Sequence, residues 1–178
     1  MLASRTDAGW NERVNTTTVR LRPPRHLVER RAVRLWTAQA LALVVPPALV
    51  LGVLTALLAP ARLWLGVGLL VVLLFGLPYI FVMPHWRFRV HRWEATDDAV
   101  YTASGWLFQE WRVAPMSRIQ TVDSVRGPLQ RLFRLASVTV TTASAAGALK
   151  IEGLDQGVAK DLVERLTEVT QATPGDAT

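Results

Sequence analysis

The amino-acid sequence predicts a two-helix transmembrane hairpin followed by an α+β domain, in which a bent antiparallel β-sheet or barrel is capped by a C-terminal α-helix. Three observations lead to this prediction. Two long apolar runs lie in the first half of the chain, at residues 35–58 and 63–83. Short segments with strand patterns follow between residues 85 and 154. An amphipathic helical pattern then covers about residues 156–170.

The two apolar runs contain no charged residue. As helices they would be about 36 Å and about 31 Å long, enough to cross a hydrocarbon core of about 30 Å. The short segment at residues 59–62 separates them, so a hairpin is expected. A pair of buried helices in a soluble protein is disfavoured, because too little chain remains to cover them. Pro46 and Pro47 predict a kink in the first helix, either as a hinge or as a passive bend.

Basic residues flank the outer ends of the hairpin. Six arginines lie at residues 20–34 and three at residues 87–92, whereas the connecting segment carries only Arg62. Because positive residues stay on the cytoplasmic side, we expect a multi-pass protein of the plasma membrane with both termini in the cytoplasm. Residues 1–34 are then a basic cytoplasmic segment, and residues 171–178 are expected to be a disordered tail.

The segment "HWRFRVHRW", residues 85–93, alternates between apolar and basic residues and is predicted to be the first strand of the domain at residues 85–170. On this prediction one strand face carries Arg87, Arg89 and His91, which are the candidate contacts to lipid or a partner. Held next to the membrane, they would meet anionic headgroups. The alternative is that these side chains only anchor the end of the helix at the interface.

The rest of the domain alternates strands with two helices. "AVYTASG" and "WLFQEWRVAP" complete a three-stranded meander. "RIQTVDSV", "SVTVTTAS" and "AGALKIEGL" supply three more strands, with a short helix at "LQRLFRL" between the first two. Asp155 is expected to cap the final helix. A bent antiparallel sheet closed by one C-terminal helix is the plan of a pleckstrin-homology-like (PH-like) domain.

The most specific motif lies at residues 115–143. It reads Pro, two residues, Arg-Ile-Gln-x-Val, and then Gly-Pro-Leu-x-Arg-x-Phe before a strand that ends in Thr-Ala. This pattern resembles the bacterial PH domain family of YdbS-like, membrane-flanked proteins, which often have glycine where this chain has Arg134. The resemblance covers roughly residues 30–170 and implies a PH-like fold in a membrane setting, without an activity. The matching residues are Pro115, Arg118, Ile119, Gln120, Val122, Gly127, Pro128, Leu129, Arg131, Phe133, Leu135, Ala136, Thr142 and Ala143.

The motif residues are expected to be structural. Gly127 and Pro128 would form a corner before the short helix. Four apolar side chains of this segment are expected to pack against the sheet: Leu129, Leu132, Phe133 and Leu135. Phe133 in particular is expected to be buried beneath the sheet. Arg118 is expected to pair with a carboxylate, such as Glu110 or Asp123, and Gln120 with a backbone group. A ligand-binding role for Arg118 and Gln120 is the alternative.

The sequence offers little for catalysis. It has no cysteine, which excludes thiolate chemistry and disulfides, and its serines lack a recognisable nucleophile context. Glu94, Asp97 and Asp98 suggest a cation site, but a polar hairpin turn is preferred because their spacing lacks the order of a calcium loop. No enzyme activity, cofactor or metal is therefore expected. Nucleic-acid binding is not expected either, because the arginines cluster at the membrane flanks.

The sequence therefore predicts an integral membrane protein that presents a PH-like domain at the inner membrane surface for protein or peptide interaction. The expected partners are the bilayer and another membrane protein, either a paired family member or a second copy of the chain. The alternative is an anionic lipid-binding or lipid-handling protein. Phosphoinositide recognition of the eukaryotic kind is disfavoured, because the first hairpin turn, "EATDD", is acidic.

Overall fold

The computed structural model describes residues 24–144 and 147–172. The predictions for residues 1–23 and for residues 173–178 of the expected tail lie outside the described residues. The first two residues of that tail, 171 and 172, belong instead to the C-terminal helix. In chain order the helices and strands are β1 (His26–Leu27), α1 (Arg31–Leu57), α2 (Arg62–Val90), β2 (Arg92–Ala95), β3 (Ala99–Gly105), β4 (Gln109–Pro115), β5 (Ile119–Val125), α3 (Pro128–Leu132), β6 (Leu135–Thr142), β7 (Leu149–Asp155) and α4 (Gln156–Ala172).

The helices α1 and α2 form the predicted hairpin, joined by a single 3-10 turn at Ala59–Ala61. Both are long and apolar enough to cross a membrane, and only 11% of the most apolar window of each is buried inside the protein. They approach closely at Gly76, where an added Cβ would lie 2.4 Å from Cγ1 of Val44. Both helices continue through their internal prolines, Pro46 and Pro47 in α1 and Pro78 and Pro84 in α2.

The predicted strand at residues 85–93 is wrong over most of its length, because α2 continues to Val90 and β2 begins only at Arg92. The alternating pattern of this segment also places Arg87 and His91 four residues apart. In a helix that spacing puts both side chains on one face. That face packs against Trp36 of α1, and this tertiary contact favours the helix over the strand that the local pattern predicts.

The strands form two antiparallel sheets, one in the order β1-β2-β3-β4 and the other in the order β5-β6-β7. The predicted three-stranded antiparallel meander is present as β2, β3 and β4, but its first strand is Arg92–Ala95 instead of residues 85–93. The two sheets do not close into a barrel. The short strand β1 was not predicted; it precedes the hairpin yet pairs with β2, which follows it, through His26 opposite Trp93. The hairpin is therefore an insertion between two neighbouring strands of one sheet.

The core of the domain lies between the sheets and the C-terminal helix α4. This helix was predicted at about residues 156–170 and is confirmed. Ala159, Leu162 and Leu166 of α4 are buried against residues of both sheets, such as Val100 and Val138. The predicted cap is also confirmed, because Oδ1 of Asp155 accepts a hydrogen bond from the backbone N–H of Gly157 at 2.8 Å. Burying this apolar face supplies the main driving force for closing the domain.

The predicted packing of the α3 segment against the sheet is largely wrong. Leu129 and Leu132 are 38% and 73% exposed. Phe133 is half-buried and packs against the residue cluster of α1 and α2, instead of lying beneath the sheet. The helix is only five residues long, and Arg134 ends it with φ 54, in the left-handed region that glycine adopts most easily. Leu135 is fully buried as expected, but as the first residue of β6.

Candidate functional site

The end of α2 is fastened to the domain by Trp36, Arg87, His91 and Glu152, which we call the junction. The guanidinium carbon of Arg87 lies 4.7 Å from the centre of the Trp36 ring. Nη2 of Arg87 donates a hydrogen bond to Oε2 of Glu152 at 2.6 Å. Trp36 is only 1% exposed, so it contacts protein on all sides. Three elements, α1, α2 and β7, therefore meet around one arginine.

His91 follows α2 directly and is 4% exposed. Its Nδ1 lies 3.0 Å from the backbone carbonyl of Arg87, which can only accept, so Nδ1 carries the proton. Its Nε2 is then free to accept from Nε of Arg87, which lies 3.5 Å away. Burial and the neighbouring Arg87 charge lower the pKa of His91 to about 4. His91 is therefore neutral at physiological pH.

Acidic residues of β7 complete the fastening. Burial opposes ionisation of Glu152, but Lys150 at 2.7 Å and Arg87 outweigh it and lower the Glu152 pKa below its ordinary value. At the start of α1, Nη2 of Arg31 lies 2.5 Å from Oδ2 of Asp155. The Gly157 N–H and then Arg31 lower the pKa of Asp155. Each end of the hairpin is thus tied to β7 by an ion pair.

The backbone of β7 also approaches α1 closely. The Glu29 N–H donates to the carbonyl of Gly153 at 2.9 Å. Gly153 has φ 77, and a Cβ there would lie 2.8 Å from Cβ of Ala32 and 3.8 Å from the Trp36 ring. Sequence reasoning missed the roles of Trp36, Glu152 and Gly153. The role of Gly153 could have been predicted, because an isolated glycine inside a strand often marks the close approach of another backbone.

The three candidate contact residues do not share one face. Arg87 and His91 point into the junction, whereas Arg89 is exposed on the other side of the helix. The single basic face predicted for these three residues on a strand is therefore not formed. Contact of Arg89 with lipid or a partner stays a prediction.

The motif residues have mixed roles. Ile119 is 6% exposed in the domain core. The corner at Gly127-Pro128 is confirmed, with the Gly127 N–H donating to Oε1 of Gln130 at 2.9 Å. Pro115 ends β4, and Arg131 is exposed on α3.

The pairing expected for Arg118 is wrong. Glu110 instead pairs with Arg112 at 2.6 Å, and Asp123 accepts a hydrogen bond from Thr121 at 3.4 Å. Within residues 24–144 and 147–172, Arg118 forms no ion pair and is exposed. Gln120 is exposed at the bulge between β5 and β6, away from the core. Both motif side chains are therefore available at the surface.

Arg118 lies beside a groove between the two sheets, with a volume of about 220 Å³. Five consecutive residues of β4 contribute to it. Since neighbouring residues of a strand point to opposite faces, a groove that touches all five runs along the edge of β4. The groove is lined by Trp111, Arg112, Val113, Ala114, Pro115, Arg118, Thr142, Ser144, Gly147 and Leu149.

The surface of this inter-sheet groove is mixed in character. Trp111 and Val113 are 45% and 37% exposed and give it an apolar side. Arg112 spans the gap to the β6–β7 turn, donating from Nη1 to the carbonyl of Ala148 at 2.8 Å. The Arg118 guanidinium supplies positive charge at one end. This arrangement can hold an extended chain with apolar side chains and a carboxylate.

The acidic residues considered for a cation site do not converge. Asp97 pairs with Arg165 at 2.8 Å, and Glu94 lies 3.7 Å from Arg25. In the part of the chain that the structure describes, no three histidine or acidic side chains are grouped as metal ligands.

Comparisons with known proteins agree with this architecture. The sequence profile of the family described as "Bacterial PH domain" matches residues 32–170. The chain is 33% identical over 94 residues to the UPF0699 transmembrane protein YdbS of Bacillus subtilis (strain 168), a match over 51% of this chain. The match spans 58% of the length of that relative. No solved structure matches the chain.

Neutral His91 makes stability depend on pH. The unfolded chain takes up a proton on this residue near pH 6.5 and the folded chain only near pH 4. The stabilisation is therefore complete above pH 6.5 and is lost as the pH falls towards 4. Between pH 7.5 and 5.5, we expect the free energy of unfolding to fall by about 1 kcal/mol. Thermal unfolding in detergent micelles at the two pH values measures this.

The control is His91→Gln, which does not titrate. Its pH dependence in the same interval should be much smaller, since Glu152 and Asp155 titrate only below their ordinary pKa values of 4.5 and 3.8. Equal pH dependence in the variant and the unmodified protein would show that His91 is not the group responsible.

Proposed function

The chain belongs to the bacterial PH domain family, and from this premise we propose that it is a membrane-tethered interaction module. Its PH-like domain binds an extended peptide segment of another membrane protein along the free edge of β4. The observation that carries this proposal is the inter-sheet groove, which follows that edge over five residues. The partner is a family relative, a second copy or another protein of the same membrane.

The edge of β4 suits strand addition. Within the described residues β4 pairs only with β3, so alternate N–H and C=O groups on its other side lack a strand partner. A peptide that adds a strand gains affinity from these groups and specificity from side-chain pockets. Natural edge strands are often protected by charged side chains. Here Glu110 and Arg112 neutralise each other, which leaves Trp111 and Val113 as the exposed apolar contacts.

The charge of the groove indicates the chemistry of the peptide. Arg118 offers an unpaired guanidinium within the described structure, and a planar guanidinium recognises a carboxylate in a bidentate manner. We therefore expect an apolar peptide with an acidic side chain or a terminal carboxylate at the Arg118 end. Tethering both molecules to one membrane raises their effective concentration, so a weak peptide contact suffices.

Lipid binding through the predicted basic face is less well supported, because Arg87 and His91 are engaged in the junction. Catalysis is also not part of the proposal. The described residues that line the inter-sheet groove include no carboxylate and no histidine that could act as a general acid or base.

For the topology, we infer that the hairpin crosses the membrane twice and that both termini are cytoplasmic. The pairing of β1 with β2 brings the start of α1 and the end of α2 to one domain. Both ends of the hairpin therefore lie on the same side. The arginines that surround these ends, including Arg30, Arg34 and Arg89, favour the cytoplasmic side by the positive-inside rule.

The peptide site is tested with the double variant Val113→Lys/Arg118→Glu, purified with a tag in mild detergent. We expect the unmodified protein to retain a co-purifying membrane protein and this variant to lose it, because the charge changes block the apolar edge and repel the carboxylate. The control, Val158→Lys/Lys160→Glu on α4, makes the same net charge change at similarly exposed positions. Equal recovery of the partner with both double variants would reject the site on β4.

Topology is tested with single cysteines, since the chain has none of its own. Ala59→Cys at the hairpin turn should react with an impermeant thiol reagent in intact cells, whereas Asp98→Cys in the domain should react only after lysis. Both residues are exposed. The opposite labelling would reverse the orientation, and protection of both cysteines before lysis would mean that the hairpin does not cross the membrane.

A further inference from the structure

The turn between β3 and β4 exposes an apolar tip, residues 106–108. Leu107 is 69% exposed and Phe108 is 90% exposed. Gly105 makes the turn tight: it has φ 110, and a Cβ there would lie 1.8 Å from the carbonyl oxygen of Phe108. Nothing in the described part of the domain covers the two apolar side chains. A nearly fully exposed phenylalanine beside an exposed leucine is costly in water.

The tip lies against the hairpin. The Trp106 ring meets the Tyr79 ring of α2 edge to face, with centroids 5.7 Å apart. Tyr79 precedes Arg87 by eight residues, which is about 12 Å along a helix. It also lies inside the uncharged run that ends at Met83. The apolar tip is therefore at the level where α2 passes from the hydrocarbon core to the headgroups.

A second turn lies beside the same helices. Phe133 packs against the residue cluster of the hairpin. Its neighbour Leu132 is 73% exposed, and Arg131 and Arg134 are exposed on either side. An exposed leucine between arginines is the composition of segments that lie at an anionic membrane surface, with apolar groups below the headgroups and basic groups among them.

We propose that the apolar tip and residues 131–134 form a surface that rests in the bilayer crossed by the hairpin. Leu107, Phe108 and Leu132 insert at the boundary between headgroups and acyl chains, and the two arginines contact anionic headgroups. The bilayer is the occupant because this surface continues from α1 and α2, which fix its depth. This contact is distinct from the inter-sheet groove and holds whether or not the groove binds a peptide.

The experiment uses Phe108→Cys in the full chain, labelled with an environment-sensitive fluorophore and reconstituted into vesicles that contain anionic lipid. The exposed side chain makes no packing contribution that the substitution could remove. The control is Asp98→Cys with the same label, at the other end of β3 and about 20 Å away along the strand.

We expect the label at residue 108 to show blue-shifted emission, quenching by spin-labelled lipid and protection from aqueous iodide. The label at residue 98 should show the reverse. Iodide quenching at residue 108 equal to that at residue 98 would overturn the proposal. Protection from iodide without quenching by spin-labelled lipid would also overturn it, because a protein surface would then be covering the tip.

Discussion

The contact of Arg87 with Trp36 and Glu152 is the interaction on which the arrangement of this protein depends. It joins one residue from each helix of the hairpin to a strand of the second sheet, at 4.7 Å and 2.6 Å. Removing Glu152 would leave the largely buried Arg87 charge without its acidic partner, which is destabilising. The junction connects the hairpin to the second sheet through β7, and the pairing of β1 with β2 connects it to the first sheet.

This constraint fixes the orientation of the domain relative to the hairpin. A domain on a flexible linker would sample many orientations, whereas here both ends of the hairpin are tied to β7. With the hairpin in the membrane, this orientation would place the apolar tip at the bilayer and leave the edge of β4 accessible beside it. A peptide partner in the same membrane would then meet the edge of β4 at a fixed distance from the bilayer and in a fixed orientation. This preorganisation lowers the entropic cost of association.

Much of the architecture could be predicted from sequence pattern, and the failures have physical causes. Long uncharged runs and period-two alternation were sufficient for α1, α2 and most strands of the sheets. The strand prediction for residues 85–91 was wrong because the same spacing of residues is compatible with a helix, and packing against Trp36 favours the helix. The predicted pairing of Arg118 with Glu110 was wrong because Arg112 lies two residues from Glu110, on the same strand face, and forms the ion pair with it. The junction could not be predicted, because its residues come from three distant parts of the chain.

The central claim, that the part of α1 around Ala32 and Trp36 is packed onto β7 at the junction, is tested most directly by comparing two glycine substitutions. Gly153 and Gly147 both have positive φ, at 77 and 79. A Cβ at Gly153 would meet Cβ of Ala32 at 2.8 Å, whereas no atom of the described residues lies within 4 Å of a Cβ at Gly147. Both changes to alanine carry the backbone strain, of about 1 kcal/mol. We predict that Gly153→Ala lowers the midpoint of thermal unfolding in micelles clearly more than Gly147→Ala does. Equal decreases would contradict the claim, because β7 would then not be in contact with the helix.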